Sequence, residues 1–160
     1  MFLRFRHAGF SLVELLVSVA IIGVLASVAM PVVELTQKRQ KEAELRTALR
    51  DIRRAIDDYK DAANKKRIKV ESDASGYPPT LADLVNGTPD LASKNGAMLY
   101  FLRRVPRDPF NSDPSVPAID SWGKRSFASP ASKPMPGADV YDVYSKAEGI
   151  GLNGIAYREW

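Results

Sequence analysis

Residues 9–33, GFSLVELLVSVAIIGVLASVAMPVV, decide the fold class of this chain. Nothing in residues 15–33 is charged, and 19 residues of helix span about 28 Å, roughly the hydrocarbon thickness of a bilayer. The preceding residues, MFLRFRHAG, are short, basic and free of acidic groups. The pattern predicts a helix that enters a membrane. Two ordinary interpretations also fit it: a plain signal anchor, and a secretory signal peptide cleaved near residues 27–29.

Glu14 is the one charged residue within residues 10–33, and neither ordinary interpretation needs it. An ionised carboxylate at the centre of a bilayer costs about 2.5 to 3.5 kcal/mol. Cleavage between Gly9 and Phe10 would expose a positive α-amino group on Phe10, four residues from Glu14 on the same helix face. Glu14 could pair with that amine in its own chain or in a neighbouring chain, and an acid in the first turn also suits the helix dipole. Cleavage would therefore create the partner that makes this charge tolerable.

The helical pattern continues beyond residue 33 with a more polar composition. Apolar residues recur at intervals of three and four, which predicts one apolar stripe on a charged helix that ends near residue 64. The stripe consists of Leu45, Leu49, Ile52, Ile56, Tyr59 and Ala63. The predicted i,i+4 ion pairs on the solvated side are Glu42–Arg46, Arg53–Asp57 and Arg54–Asp58. Because the sequence shows no second long helix, we expect the stripe to pack against a sheet.

Two short helices are predicted after the long one. Residues 75–79, SGYPP, are typical of a turn. Thr80 then suits an N-cap, with Asp83 completing an imperfect capping box for a helix at residues 81–85. Apolar residues predict a second short helix at residues 97–105.

Two short strands are predicted near the end of the chain, at residues 122–129 (WGKRSFAS) and 139–145 (DVYDVYS), separated by a proline-rich loop. The predicted fold class is therefore α+β, with a long N-terminal helix packed on a small antiparallel β-sheet. The helix has a transmembrane half and an amphipathic half. The predicted divisions are a leader at 1–9, a transmembrane and assembly half at 10–33, an amphipathic half at 34–64 and a soluble domain at 65–160.

The composition excludes several kinds of catalytic and metal site. The 160 residues include no Cys, and the one His, His7, lies in the predicted leader. A mature chain without Cys or His has no thiol nucleophile, Ser–His triad or usual zinc site. Neighbouring carboxylates point to different faces of their helix or strand, so no acid–base pair is predicted. These pairs are Asp57–Asp58 and Asp139–Asp142. We therefore expect that this protein is not an enzyme.

The N-terminal motif resembles the type IV prepilin signal. Residues 9–16, GFSLVELL, have its glycine, its phenylalanine and a glutamate at the fifth mature position, and Pro31 falls where pilins commonly carry a helix-kinking proline. The resemblance implies that a prepilin peptidase cuts between Gly9 and Phe10 and that Phe10 is N-methylated. It also implies that Glu14 neutralises the amine of an adjacent subunit during assembly. A proline there removes one backbone hydrogen bond and is expected to bend the helix.

Later motifs resemble the major pseudopilin, or G-type subunit, of type II secretion systems. These motifs are Gly76-Tyr77-Pro78, residues 102–109 (LRRVPRDP), Trp122-Gly123 and Asp142-Val143-Tyr144-Ser145. The resemblance implies a pilin-like fold and a periplasmic pseudopilus that drives protein secretion. It implies an inner-membrane, single-pass chain with its C-terminal domain in the periplasm. The implied partners are copies of itself, other pseudopilins, the prepilin peptidase and the inner-membrane secretion platform.

Other functions stay open at this point. One is a type IV pilus pilin, major or minor, including a DNA-uptake pilin; many pilins close their C-terminal region with a disulfide, so the lack of Cys favours the pseudopilin. Another is a membrane-anchored module that binds a secreted substrate. The basic run at residues 65–69 is interpreted as a solvated helix end that complements the dipole, and it does not favour a nucleic-acid partner.

The sequence departs from the pseudopilin pattern in two places. About ten residues, roughly 111–121, separate two motifs that usually adjoin. Pseudopilins also bind calcium in a C-terminal loop, and calcium prefers six to eight oxygen ligands. The corresponding loop, residues 146–154, offers Glu148 and Asn153 but no Asp. These two are the candidate calcium ligands, and the alternative is that the loop glycines form turns while Glu148 is solvated.

Overall fold

A computed structural model describes residues 9–160, apart from the side chains of residues 28–31. It begins with helix α1, Leu12–Asn64, which is continuous through Pro31. The side chain of Pro31 lies outside the described part of the chain, so the kink stays a prediction. Residues 1–8 of the predicted leader lie outside it as well.

Backbone contacts divide the chain into two units, Met1–Arg39 and Gln40–Trp160. The described part of the first unit is the N-terminal portion of α1, whose large apolar side chains are exposed. Within the described residues, the buried core lies in the second unit, where the amphipathic part of α1 packs with the rest of the unit. The predicted divisions at residues 9, 33 and 64 stay predictions.

The predicted apolar stripe of α1 is confirmed. Its residues are at most 7% exposed except Ala63, which is partly buried against the same core. The partners of the stripe come from the loops and strands that follow the helix. They are Ile68, Leu81, Leu84, Trp122, Val140, Val143 and Tyr157. Helix propensity is weak in a short stretch, so this one-sided burial is what stabilises the second half of α1.

The sheet component consists of two antiparallel hairpins. Strands β1 (Thr88–Pro89) and β2 (Met98–Leu99) form one. Strands β3 (Trp122–Arg125) and β4 (Asp142–Ser145) form the other, in which Trp122 faces Ser145. The fold class is α+β with small antiparallel sheets, as predicted.

Strands β3 and β4 are shorter than predicted, because side-chain and loop contacts replace the ladder beyond Arg125. The Ser126 N–H donates to the Met135 carbonyl at 2.9 Å, and the Phe127 N–H donates to the Asp139 carboxylate at 2.8 Å. Backbone groups that are satisfied in this way no longer pair across the hairpin.

The predicted helix at residues 97–105 is wrong. Its first residues form β2, and the next ones pack on the core as irregular chain. The N–H groups of Phe101 and Leu102 both donate to the Leu84 carbonyl, at 3.1 and 2.9 Å, which a helical turn could not allow. Apolar spacing in a short segment does not distinguish a helix from a loop that covers a core.

The other short helix, α2, is Asp83–Asn86, so it begins two residues later and ends one residue later than predicted. The predicted N-cap at Thr80 is wrong, because the helix is preceded by Ala82, which makes no side-chain cap. Thr80 and Asp83 still contact each other. The Asp83 carboxylate accepts the Thr80 N–H and the Thr80 hydroxyl, each at 2.8 Å. A 3-10 turn at Ala118–Asp120 and another at Tyr157–Glu159 complete the regular structure of the described residues.

Candidate functional site

Helix α1 begins with a cap that the sequence contains but that the prediction missed. The Ser11 hydroxyl accepts the Glu14 N–H at 3.2 Å, and the Ser11 carbonyl accepts the Leu15 N–H at 3.1 Å. Ser-x-x-Glu ahead of an apolar run is the sequence signature of a capping box. The Glu14 side chain is exposed. Its first-turn position is favourable for an anion at the positive end of the helix dipole.

The first unit presents an apolar helix surface. Phe10 is 80% exposed, Leu12 is 73% exposed, and most apolar side chains that follow are more than half exposed. The Ser18 and Ser27 hydroxyls donate to carbonyls one turn earlier, each at 2.7 Å, so these hydroxyls do not need water. Within the described residues, α1 is the one helix that is long and apolar enough to cross a membrane. Such a surface is suited to lipid or to packing with other helices.

Arg53 connects α1 to β4 through hydrogen bonds. The predicted ion pair between Arg53 and Asp57 is wrong. The Arg53 guanidinium donates to the Asp142 carboxylate at 2.8 Å, to the Val143 carbonyl at 3.2 Å and to the Trp160 carbonyl at 2.7 Å. Arg125 on β3 donates to the other oxygen of Asp142 at 3.3 Å. Asp142 therefore joins α1, β3 and β4 in one ionic network.

The other predicted pairs on α1 differ in outcome. Within the described residues, no ion pair joins Arg54 to Asp58, and both side chains are exposed. Arg46 does approach Glu42, but at 3.9 Å, and Glu42 is only 3% exposed instead of solvated. Helical spacing places two charges side by side, but it does not decide between a local partner and a distant one.

Glu42 is held by the far end of the chain. Its Oε1 accepts the Leu152 N–H at 2.8 Å and the Tyr157 hydroxyl at 3.0 Å. Burial, together with the hydrogen bond to the Glu42 carboxylate and its charge, raises the pKa of Tyr157 to about 12. The sequence carries no local signal for these contacts.

Asp108, from the LRRVPRDP motif, is a second buried carboxylate, at 1% exposure. It accepts the Ser145 hydroxyl at 2.6 Å and the Phe110 N–H at 2.9 Å. Its own N–H donates to the Ser121 hydroxyl at 3.1 Å. The two donors to the carboxylate offset the cost of burying it. The motif is therefore a structural anchor that joins a turn to β4.

The additional residues near 111–121 form a loop that is fastened to Arg107. The Arg107 guanidinium donates to the carbonyls of Val116, at 2.6 Å, and Asp113. It also donates to the Asn111 side chain at 3.3 Å. The loop returns the chain to Ser121, whose hydroxyl accepts the Asp108 N–H.

The C-terminal loop does not fit a calcium ion. Glu148 is exposed, and the Asn153 side-chain oxygen accepts the Ile155 N–H at 3.1 Å, in a local turn. Gly149 and Gly154 adopt positive φ angles of 138° and 80°, which favour glycine. Within the described residues, no group of three or more His, Cys, Asp or Glu could hold a metal ion. Calcium prefers six to eight oxygens, several of them carboxylates.

Comparison with known proteins agrees with these features. The region 4–30 matches the family described as the prokaryotic N-terminal methylation motif. The chain is 30% identical over 142 residues to the type II secretion system core protein G of Pectobacterium carotovorum subsp. carotovorum, across 84% of this chain and 82% of that protein. The chain belongs to the type IV pilin-like family, which includes the pseudopilins of type II secretion.

This pilin-like chain is also similar to a pilus protein. A stretch of 67 residues is 40% identical to the type IV major pilin protein PilA of Myxococcus xanthus (strain DK1622), across 38% of this chain and 30% of PilA. No solved structure matches the chain. Neither relative carries the name of an enzyme.

Proposed function

We propose that the chain is a structural subunit of a periplasmic pseudopilus that drives type II protein secretion. A prepilin peptidase cuts between Gly9 and Phe10, and Phe10 is N-methylated. The observation that carries the proposal is the match to a type II secretion core protein across most of both chains. The match to the Myxococcus pilin covers less than two fifths of this chain, so it supports the family more than the particular filament.

Assembly proceeds through the exposed apolar helix surface and through Glu14. Removing the leader leaves a positive amine on Phe10 at the end of an apolar segment. A charge in that setting is costly unless it is paired, and the exposed Glu14 of an adjacent copy provides an anionic partner. The exposed apolar side chains, from Phe10 onward, then pack with those of neighbouring copies and leave contact with lipid.

The proposed location is the inner membrane, crossed once, with the second unit in the periplasm. The proposed partners are copies of the chain, other pseudopilins, the prepilin peptidase and the inner-membrane secretion platform. Nucleic acid is not among them. In the basic run, Arg67 donates to Asp90 at 2.5 Å and Lys65 donates to Asp61 at 2.6 Å, so two of its charges already have acidic partners.

A type IV pilus subunit is the second candidate, favoured by the 40% identity to a major pilin. The two functions share processing and assembly and differ in what the filament does. In a strain that lacks the chain, a pseudopilus subunit should restore release of secreted proteins into the medium. A pilus subunit should restore surface filaments, motility or DNA uptake instead.

Substitution of Glu14 tests the assembly step. Glu14→Ala should leave the protein in the membrane but abolish the sheared or cross-linked filaments, whereas Glu34→Ala should assemble normally. Glu34 is a matched control because it is another exposed glutamate of α1. Glu14→Gln keeps a capping side chain without the charge, so it separates helix capping from ion pairing. Normal assembly of both Glu14 variants would refute the proposed role of Glu14 in assembly, whereas a wild-type chain that forms no filaments would favour a monomeric, membrane-anchored binding module.

Mass spectrometry of the mature N-terminus tests the processing step. The chain should begin at Phe10 and carry one methyl group on its amine. Gly9→Val should block cleavage and retain the leader. An intact leader in the wild-type protein, or cleavage near residues 27–29, would contradict the proposed processing.

A further inference from the structure

We infer that Glu42 holds the C-terminal loop closed in place of a bound calcium ion. The loop, residues 146–154, is the segment for which the resemblance implies calcium, and residues 155–157 follow it directly. The Glu42 carboxylate reaches it from a position 110 residues earlier in the chain, through the Leu152 N–H. This inference rests on contacts within the second unit and stands independently of the proposed function.

The polarity of the contacts is opposite to that of a cation site. A cation collects carbonyl and carboxylate oxygens, whereas a carboxylate collects N–H and O–H donors. Here Oε1 of Glu42 receives two donors, from Leu152 at 2.8 Å and from Tyr157 at 3.0 Å. Its Oε2 lies 3.9 Å from the Arg46 guanidinium. Oε1 of Glu42 therefore already accepts an N–H and an O–H group, and Oε2 faces the positive charge of Arg46.

Several backbone groups of the loop are hydrogen-bonded without an ion. The Gly151 N–H donates to the Ile155 carbonyl at 2.8 Å, and Ile150 forms an antiparallel bridge with Ala156. The Trp160 indole donates to the same Ile155 carbonyl at 3.2 Å. This carbonyl oxygen thus accepts two donors, which leaves it poorly placed to bind calcium.

Aromatic packing fixes the end of the loop beside Glu42. Tyr157 stacks on Phe110 with ring centroids 4.2 Å apart, and it meets Trp160 edge-on at 5.3 Å. The Arg46 guanidinium lies over the Trp160 ring at 4.4 Å. Glu42 and Arg46 occupy successive turns of α1, so one face of the helix holds the loop through a carboxylate and a cation–π contact.

Hydrogen exchange on the full-length chain in detergent micelles tests the inference. In wild-type protein with EGTA, peptides that cover residues 150–157 should already be protected, and millimolar calcium chloride should change their exchange by less than about twofold. Glu42→Ala should accelerate their exchange by about tenfold or more, since it removes two hydrogen bonds to a charged acceptor. Glu44→Ala, an exposed neighbour on α1, should leave the exchange unchanged.

Further readouts separate a local effect from general unfolding. Peptides of β3 should keep their protection in Glu42→Ala. If that variant does not fold, Glu42→Gln provides the same measurement, because its amide oxygen still accepts one donor but without the charge. We expect intermediate protection for it. Two results would overturn the inference. One is a wild-type loop that becomes protected only after calcium is added. The other is loop exchange in both Glu42 variants at the wild-type rate. Absence of filaments from the wild-type chain, together with intact loop protection, would contradict only the proposed function.

Discussion

Replacing Asp108 with alanine should remove the polar anchor that joins the turn after the LRRVPRDP motif to strand β4. The carboxylate is 1% exposed and accepts the Ser145 hydroxyl at 2.6 Å and the Phe110 N–H at 2.9 Å. Ser145 is itself fully buried. Alanine at this position would leave the Ser145 and Phe110 donors without their acceptor.

The expected destabilisation follows from these two bonds. Hydrogen bonds to a charged acceptor contribute about 1.5 to 3 kcal/mol each, so the substitution should cost about 3 to 4 kcal/mol after partial rehydration of the Phe110 N–H. For a unit of roughly 120 residues, 1 kcal/mol shifts Tm by about 4 °C. The second unit of Asp108→Ala should therefore melt about 12 to 16 °C below wild type. Asp108→Asn should cost about half as much, because it keeps one acceptor oxygen.

Tryptophan fluorescence during thermal and urea unfolding is a suitable assay. Both tryptophans of the chain, Trp122 and Trp160, lie in the second unit, so the signal does not report on the apolar helix. Asp113→Ala is the matched control, since this exposed carboxylate accepts the N–H and the hydroxyl of its neighbour Ser115. The control should change stability by less than about 1 kcal/mol. A melting temperature for Asp108→Ala within about 4 °C of wild type would refute the anchoring role.

Three further predictions concern the same unit. Ile52→Ala, at a fully buried position on α1, should cost about 3 kcal/mol in urea unfolding, because it leaves a cavity in the core. Gly123→Ala should cost about 1 to 3 kcal/mol, since its Cβ would meet the Tyr144 ring; a normal Tm would show that the ring can move aside. Tyr157 should titrate near pH 12 in ultraviolet difference spectra against Tyr157→Phe. Its raised pKa contributes stability below pH 10 that is lost as the pH rises towards 12, and Glu42→Gln should lower this pKa only partly, because burial is the larger cause.

Local patterns in the sequence predicted the features that depend on neighbours along the chain. The apolar run, the three-and-four spacing of Leu45 to Ala63 and the short strands were all readable in this way. The Ser11 cap was readable too, from Ser-x-x-Glu, and was missed. The helix predicted at residues 97–105 failed because its apolar residues cover the core instead of lining one helix face.

Contacts between distant residues could not be predicted from spacing. Arg53 has Asp57 one turn away, yet it pairs with Asp142, 89 residues later. Glu42 does approach Arg46 one turn away, at 3.9 Å, but its shorter contacts are with Leu152 and Tyr157, more than 100 residues later. An exposed i,i+4 pair contributes little, about 0.3 to 0.5 kcal/mol, so a partly buried partner with several hydrogen bonds easily replaces it.

The sequence by itself determined the apolar helix, its charged residue Glu14 and the amphipathic continuation, because helix formation and membrane transfer depend on composition and local period. Only the tertiary structure decided that Glu42 and Asp108 are buried and which donors hold them. The presence of a Glu or Asp in the sequence does not indicate whether its carboxylate is solvated or is buried among N–H and O–H donors. The packing of the chain end on α1 is what excludes water from Glu42 and makes it the partner of the C-terminal loop.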